Sequence, residues 1–200
     1  NKPLIYYSIK AAIKSKLFKK IIVSTDSKKI AKISKKYGAK VPFMRSKSLS
    51  DDHTGTIPVI CDAIKKIEKL EKFNYVCCIY PASPFIKKKN LVEALKISKK
   101  KRNLVFPVSI FETPIERSIS IDRNKKINFN KKKFFKRTQD QGQNFYDSGQ
   151  FYMAPKKNFF SKKIICKNTS VIILNKFESI DINDLDDWKM AERIYKKNKL

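Results

Sequence analysis

YVCCIYPASPF, residues 75–85, decides the fold. Residues 75–79 form an uncharged run of apolar, aromatic and thiol side chains. A run that short, stopped by Pro81 and Pro84, predicts a strand buried on both faces rather than a helix. The two prolines lack amide donors, so the chain has to leave the sheet there. LVEALKIS (residues 91–98) then supplies helical spacing. A buried strand, a tight polar loop at its carboxyl end and a following helix make half of a βαβ unit. Ligands of open α/β sheets sit at that carboxyl edge. Tyr80, Ser83 and their loop are therefore the expected floor of a site.

Outward from this stretch, 200 residues suffice for one α/β domain with a sizeable core, and 42% hydrophobic residues is ordinary for one. No window has the length or apolarity of a membrane span, and nothing resembles a signal peptide. The 46 basic and 18 acidic residues give a net charge of +28. Such a balance suits an anionic partner. Yet the lysines are dispersed over nearly every predicted helix, arginines are few, and no basic stripe is interleaved with stacking aromatics. Solvated helix faces are the expectation, and nucleic acid is not the expected partner. The four cysteines (Cys61, Cys77, Cys78 and Cys166) and the single His53 show no metal-ligand spacing, so zinc and a disulfide framework are not expected. Cys77 and Cys78, being adjacent in a strand, should point to opposite faces.

The elements expected along the chain are a helix over 4–15, a short strand over 21–23 and a helix over 28–37. Asp26 or Ser27 would cap that helix and Gly38 would stop it. A second strand over 41–44, a polar loop and a helix over 57–70 lead into the central strand. This alternation predicts a mostly parallel sheet with helices on both faces. A strand over 104–108 follows, ending at Pro107. Residues 112–144 alternate weakly, turn at 122–124 and read as a hairpin excursion that serves dimerisation or lids a site. Order returns with a strand over 149–153, a short helix over 155–160, a strand over 171–174 and a final helix over 184–197. No repeat or linker divides the chain, so one domain over 1–200 is expected.

Four constellations carry candidate chemistry. Asp181-Ile182-Asn183 puts two oxygen-bearing side chains on one face of an extended segment, where they could share Mg²⁺. They could equally cap the helix that begins near Asp184. YDSGQFY (residues 146–152) places polar side chains and a glycine just before a strand, either at a ligand or in an ordinary loop. The loop from Arg45 to Thr56 offers groups suited to a base and ribose, or to solvent, with Thr56 as helix cap. Arg137, in RTQD (residues 137–140), could grip a carboxylate or phosphate through its guanidinium fork, or be one more solvated charge.

Taken together and in this order, STD (24–26), ISKKYGAKVPFMR (33–45), LSDDHTGTIPVI (49–60), YVCCIYPASPF, RTQD, YDSGQFY and SIDINDLDDW resemble the cytidylyltransferases that activate nonulosonic acids. That family includes the CMP-sialic acid synthetases. VCCIY and YDSGQFY look most like its pseudaminic acid branch, and Tyr80 stands where sialic acid enzymes carry the glutamine of a QPTSP loop. The resemblance covers essentially the whole chain.

It implies a Rossmann-like nucleotide-diphospho-sugar transferase fold and a Mg²⁺-dependent cytoplasmic enzyme. CTP and a nine-carbon 2-keto sugar acid would give a CMP-sugar and pyrophosphate. Arg45, Thr54, Gly55 and Thr56 would face the nucleotide. Tyr80, Ser83, Arg137, Asp147, Ser148, Gln150 and Tyr152 would line the sugar site. Asp181 and Asn183 would hold the metal, with Asp181 and Arg137 the catalytic candidates. Residues 112–144 would be the dimerisation element of a homodimer. Two departures stand out. The family opens with a strand and a phosphate-wrapping loop of the PARGGSKR kind, whereas this chain opens at NKPLI, matching the segment just after it. An upstream piece is expected to be missing, leaving poor activity or an inactive truncated homologue. The family's metal motif also has a second aspartate where this chain has Asn183.

Overall fold

The computed structural model describes residues 2–161, 163–180, 182 and 184–198. In chain order these form α1 (Leu4–Ser15), α2 (Lys28–Lys36), α3 (Thr56–Glu68), β1 (Tyr75–Ile79), α4 (Lys88–Lys101), β2 (Val105–Ile110), β3 (Ser120–Ile121), β4 (Ile127–Asn128), α5 (Lys131–Phe134), β5 (Phe145–Asp147), β6 (Phe151–Pro155), β7 (Ser170–Ile173) and α6 (Leu185–Asn198). Helix α1 has the bounds its apolar spacing predicts. The Ser27 hydroxyl caps α2 by accepting the Ile30 amide at 3.3 Å. Gly38 stops it at φ +98°, a conformation open to glycine.

β1, β2, β5, β6 and β7 form one five-stranded sheet. β6 runs antiparallel between β1 and β2, β5 continues antiparallel along β2, and β7 lies parallel on the other edge of β2. The expected fold class stands: α/β, with helices on both faces. The sheet, however, is mixed rather than mostly parallel. β1, β2 and β7 share a direction, while β5 and β6 run against them. The cause lies in the connection from β2 to β5. It lays no long helix across the sheet, its one α-helix being α5, so the chain returns alongside β2 instead of crossing over.

Strand alternation divides the core. Cys77, Ile79, Val105, Phe151, Met153 and Ile172 face Leu91 and Ala94 of α4, with Ala11 of α1 packed beside them. Val76, Cys78, Phe106, Val108, Tyr152 and Ala154 face Ile60 and Ile64 of α3 and Phe159. Cys77 and Cys78 thus point to opposite faces. Burial pushes both thiols up, Cys78 to about 12, which keeps them protonated and inert.

Three further expectations are corrected. β1 is half-buried along its whole length, because among the described residues only β6 bonds to its backbone. The strands expected over 21–23 and 41–44 reduce to a single parallel bridge, Ile22 to Lys40, which stands apart from the five-stranded sheet. Strand β2 runs straight through Pro107. The Pro107 carbonyl accepts both the backbone amide and the hydroxyl of Ser148, at 3.1 and 3.0 Å. A residue's amide and carbonyl leave a strand on the same side. The amide Pro107 lacks would therefore point to the place where β6 gives way to β5, and no ladder bond is lost there.

Candidate active site

The carboxyl end of β1 meets the loop that separates β5 from β6. The Tyr80 amide donates to the Gln150 carbonyl at 2.9 Å, and the Ser83 hydroxyl donates to the Gly149 carbonyl at 3.2 Å. Gly149 has φ +64°, and its amide donates to Asp147 Oδ1 at 2.9 Å. The left-handed residue turns the chain sharply enough for the two loops to touch. From α1, the Ser8 hydroxyl donates to the Tyr80 carbonyl at 2.9 Å. Tyr80, Ser83, Asp147, Ser148 and Gln150, far apart in sequence, are thereby brought together.

A run of hydroxyl groups crosses this edge. Thr56 Oγ1 and the Tyr80 hydroxyl lie 2.8 Å apart, the Tyr80 and Tyr152 rings meet edge to face at 5.8 Å, and the Tyr152 hydroxyl donates to Asp147 Oδ2. Burial raises the Tyr152 phenol, and its bond to the Asp147 carboxylate raises it further. Burial raises Tyr80 as well, partly offset by the Thr56 hydroxyl. Both phenols stay neutral at physiological pH and serve as hydrogen-bond partners rather than bases. Beneath them is a cavity of about 170 Å³ walled by Ile57, Leu104, Ile164 and Ile165. It is largely apolar, with Thr56, Tyr80 and Tyr152 supplying the polar rim.

The loop from 45 to 56 is held by its own polar groups. Arg45 Nε donates to Ser50 Oγ at 2.9 Å, and its terminal nitrogen donates to Asp26 Oδ1 at 3.3 Å. Asp51 accepts the amides of His53 and Thr54 at 2.8 and 2.6 Å and the Thr54 hydroxyl at 3.0 Å. The His53 and Thr54 bonds hold the Asp51 carboxyl below its usual range. Gly55, not Thr56, occupies the cap position of α3, and among the described residues no side chain caps the helix's first amides. A Cβ built at Gly55 would meet nothing within 4 Å, which leaves those amides approachable. The Thr56 hydroxyl is committed to Tyr80 instead.

Arg137 stands on the exposed excursion, just before the single turn Thr138–Asp140. Among the described residues, no hydrogen bond or ion pair joins it to the Tyr80 cluster. Asp181 and Asn183 lie outside the described residues. The described part of the helix that follows supplies capping bonds of its own: Asp184 Oδ1 accepts the amides of Asp186 and Asp187 at 2.9 and 2.8 Å. Asp187 Oδ2 accepts the Asp184 amide at 3.3 Å, completing a reciprocal box. Among the described residues, no three His, Cys, Asp or Glu side chains form a metal-binding group.

Sequence reasoning missed one residue altogether. Glu178 is 4% exposed and sits where α4, the end of β7 and the 148–150 loop converge. Only Asn175, an amide just past the strand, hints at the turn that buries it. Asn175 Oδ1 accepts the amides of Phe177 and Glu178 at 3.1 and 3.0 Å.

Comparison with known proteins gives the chain its class. A family model described as "Cytidylyltransferase" matches residues 1–188. The chain belongs to the cytidylyltransferase family. Within it, the chain is 33% identical over 202 residues to the pseudaminic acid cytidylyltransferase of Campylobacter jejuni, covering 99% of this chain and 87% of that protein. It is 32% identical over 204 residues to the CMP-N,N'-diacetyllegionaminic acid synthase of Legionella pneumophila, with the same coverage of 99% and 87%. Among solved structures, a CMP:2-keto-3-deoxy-manno-octonic acid synthetase complexed with CTP superposes with a TM-score of 0.66 at 11% identity. The match covers 100% of this chain and 90% of that one, and it establishes the shared fold.

Proposed function

We propose that this chain is a nonulosonic acid cytidylyltransferase that converts CTP and pseudaminic acid to CMP-pseudaminic acid and pyrophosphate, for glycosylation of surface structures. The observation that carries this reading is the 33% identity to a pseudaminic acid cytidylyltransferase over 99% of the chain. The meeting of Tyr80, Ser83 and Asp147 at the carboxyl edge of the sheet supports it. In the reaction, the sugar's anomeric oxygen bonds to the α-phosphorus and loses its proton, while the bond from that phosphorus to the bridging oxygen breaks and pyrophosphate leaves. Arg45 and the 54–56 segment would face the nucleotide, next to the open amides of α3. Tyr80, Ser83, Asp147, Ser148, Gln150 and Tyr152 would shape the sugar side, with Arg137 meeting the carboxylate.

Asp181 and Asn183 would hold Mg²⁺. The donor set suits it, since both side chains supply oxygen. When bound, the ion supplies positive charge against the triphosphate. The whole chain would act as one cytoplasmic domain, paired as a homodimer through residues 112–144. Among the described residues, no helix is long and apolar enough to cross a membrane. The basic charge has a use within the fold, because lysines crowd the last turns of α2, α3, α4 and α6, where helix dipoles favour them. Nucleic acid is not the proposed partner.

A second reading, a legionaminic acid synthetase, is favoured by the nearly equal 32% identity to the Legionella protein. Pyrophosphate release from CTP and Mg²⁺ with pseudaminic, legionaminic or sialic acid separates the two. Turnover is expected with pseudaminic acid. Preference for another acid reassigns the substrate, and silence with all three from folded protein points to an inactive homologue.

A further inference from the structure

A carboxylate taken out of water is costly unless charge and hydrogen bonds meet it. The Glu178 side chain, 5% exposed, is met on every side. Asn90 Nδ2 donates to Oε2 at 3.0 Å, and Asn175 Nδ2 donates to Oε1 at 2.9 Å. Lys87 Nζ lies 2.7 Å from Oε1, with Lys89 at 3.6 Å. Burial alone would raise this carboxyl, but the Lys87 and Asn90 bonds and the two lysine charges outweigh it and hold it below its usual range. The Glu178 backbone carbonyl accepts a bond from Gln150 Nε2. Gln150 is 1% exposed, and its Oε1 has no partner among the described residues. One residue therefore ties the start of α4 and the turn after β7 to the loop beside Tyr80 and Ser83.

We propose that Glu178 is a positioning residue that sets Gln150, and with it the 148–150 loop, relative to the turn after β7. This rests on the reading of the site given above. Asn90, Asn175 and Lys87 fix the Glu178 side chain. The fixed side chain holds its own carbonyl toward Gln150, and the bond to Gln150 leaves that amide's oxygen uncommitted at the site. Among the described residues the contacts reach the sugar side and not the 45–56 loop, so the two substrates should respond differently to its loss.

Glu178→Gln keeps the shape and removes the charge, whereas Glu178→Ala removes the anchor. In pyrophosphate-release assays of the full native chain, E178Q should raise the KM for the sugar acid about tenfold while the KM for CTP stays within about twofold. Combined with Q150A, the E178Q loss should be smaller than it is alone, because both act through one bond. Unequal hydrogen exchange supplies a readout that needs no substrate. In E178Q the amides of 148–150 should exchange about tenfold faster, with α2 unchanged. A sugar-acid KM that stays put, effects of the two variants that simply multiply, or faster exchange confined to 175–178 would each overturn the positioning role. If the wild-type chain turns over none of the acids, the functional reading fails, and the exchange comparison alone decides for or against Glu178.

Discussion

The buried polar junction around Glu178 and the excursion at 112–144 satisfy their side chains in opposite ways. In the junction, Ser83, Asn90, Ser148, Gln150 and Glu178 are all buried, and each has a partner within the chain. In the excursion, β3 and β4 are two residues each, and Ile121 and Ile127, a cross-strand pair, are 64% and 58% exposed. Phe135 is 74% exposed. A short hairpin with its apolar side chains in water is marginal alone. The junction thus draws its partners from within one chain, whereas the excursion has apolar surface left to cover. Losses in the first should appear as lost stability, and losses in the second as lost association.

The largest effect is expected in the junction. E178A leaves Asn90 and Asn175 facing a hole and strands the Lys87 charge, and it should cost about 2–3 kcal/mol, discounted because Lys87 itself is half in water. Urea midpoints measure this, and a cost below about 0.5 kcal/mol would mean that water or a shifted side chain replaces the carboxylate without loss. Ile121→Asp paired with Ile127→Asp should do the reverse. It should leave the unfolding free energy within about 0.5 kcal/mol, since both side chains are already exposed. Sedimentation should show the proposed homodimer falling apart. A double variant that still sediments as a dimer would place the interface elsewhere.

A smaller effect is expected where the junction meets the cavity. Tyr80→Phe removes the hydroxyl that lies against Thr56 and keeps the ring against Tyr152. It should cost about 1 kcal/mol of stability and leave association untouched. If it weakens the dimer instead, the two regions are coupled and their separation fails.

The same contrast governs what was legible in the sequence. Elements carried by local pattern were readable: the apolar spacing of α1, the Ser27 cap, the turn at Asp122 and the opposed faces of Cys77 and Cys78. The turn forms as expected, with Asp122 Oδ1 accepting the amides of Asn124 and Lys126 at 2.8 and 2.9 Å. What depended on a distant partner was not readable. The direction of β6 is set by what the preceding segment does in space, and Phe151–Pro155 reads the same either way. Pro107 sits inside a strand only because Ser148 and Gly149 leave no partner asking for its amide. The meeting of Tyr80 with the 146–152 stretch was legible through family order. Glu178 was not, because a glutamate in sequence announces a surface, and only three surrounding elements make it an interior residue.

Acid titration gives the smallest and most general distinction, because it separates a buried carboxylate from a partly buried one. Glu71, beside Lys19 at 2.6 Å and Lys20, is held down to about 2 by hydrogen bonds from those lysines. Glu178 is also lowered, but from inside the junction. A carboxyl whose folded value lies below its unfolded value of 4.5 stabilises the fold fully above that value. The contribution is lost as pH falls through 4.5 toward the folded value. Urea midpoints should therefore be level from neutral pH to about 5 and fall below it. Glu71→Gln should start lower and converge on wild type near pH 2, the value to which Glu71 is held. Adding salt should shrink the Glu71 difference more than the Glu178 contribution, because the Glu71 side chain is 14% exposed and that of Glu178 only 5%. If salt erases both equally, the Glu178 carboxylate is reached by solvent and the junction is no more sealed than the surface.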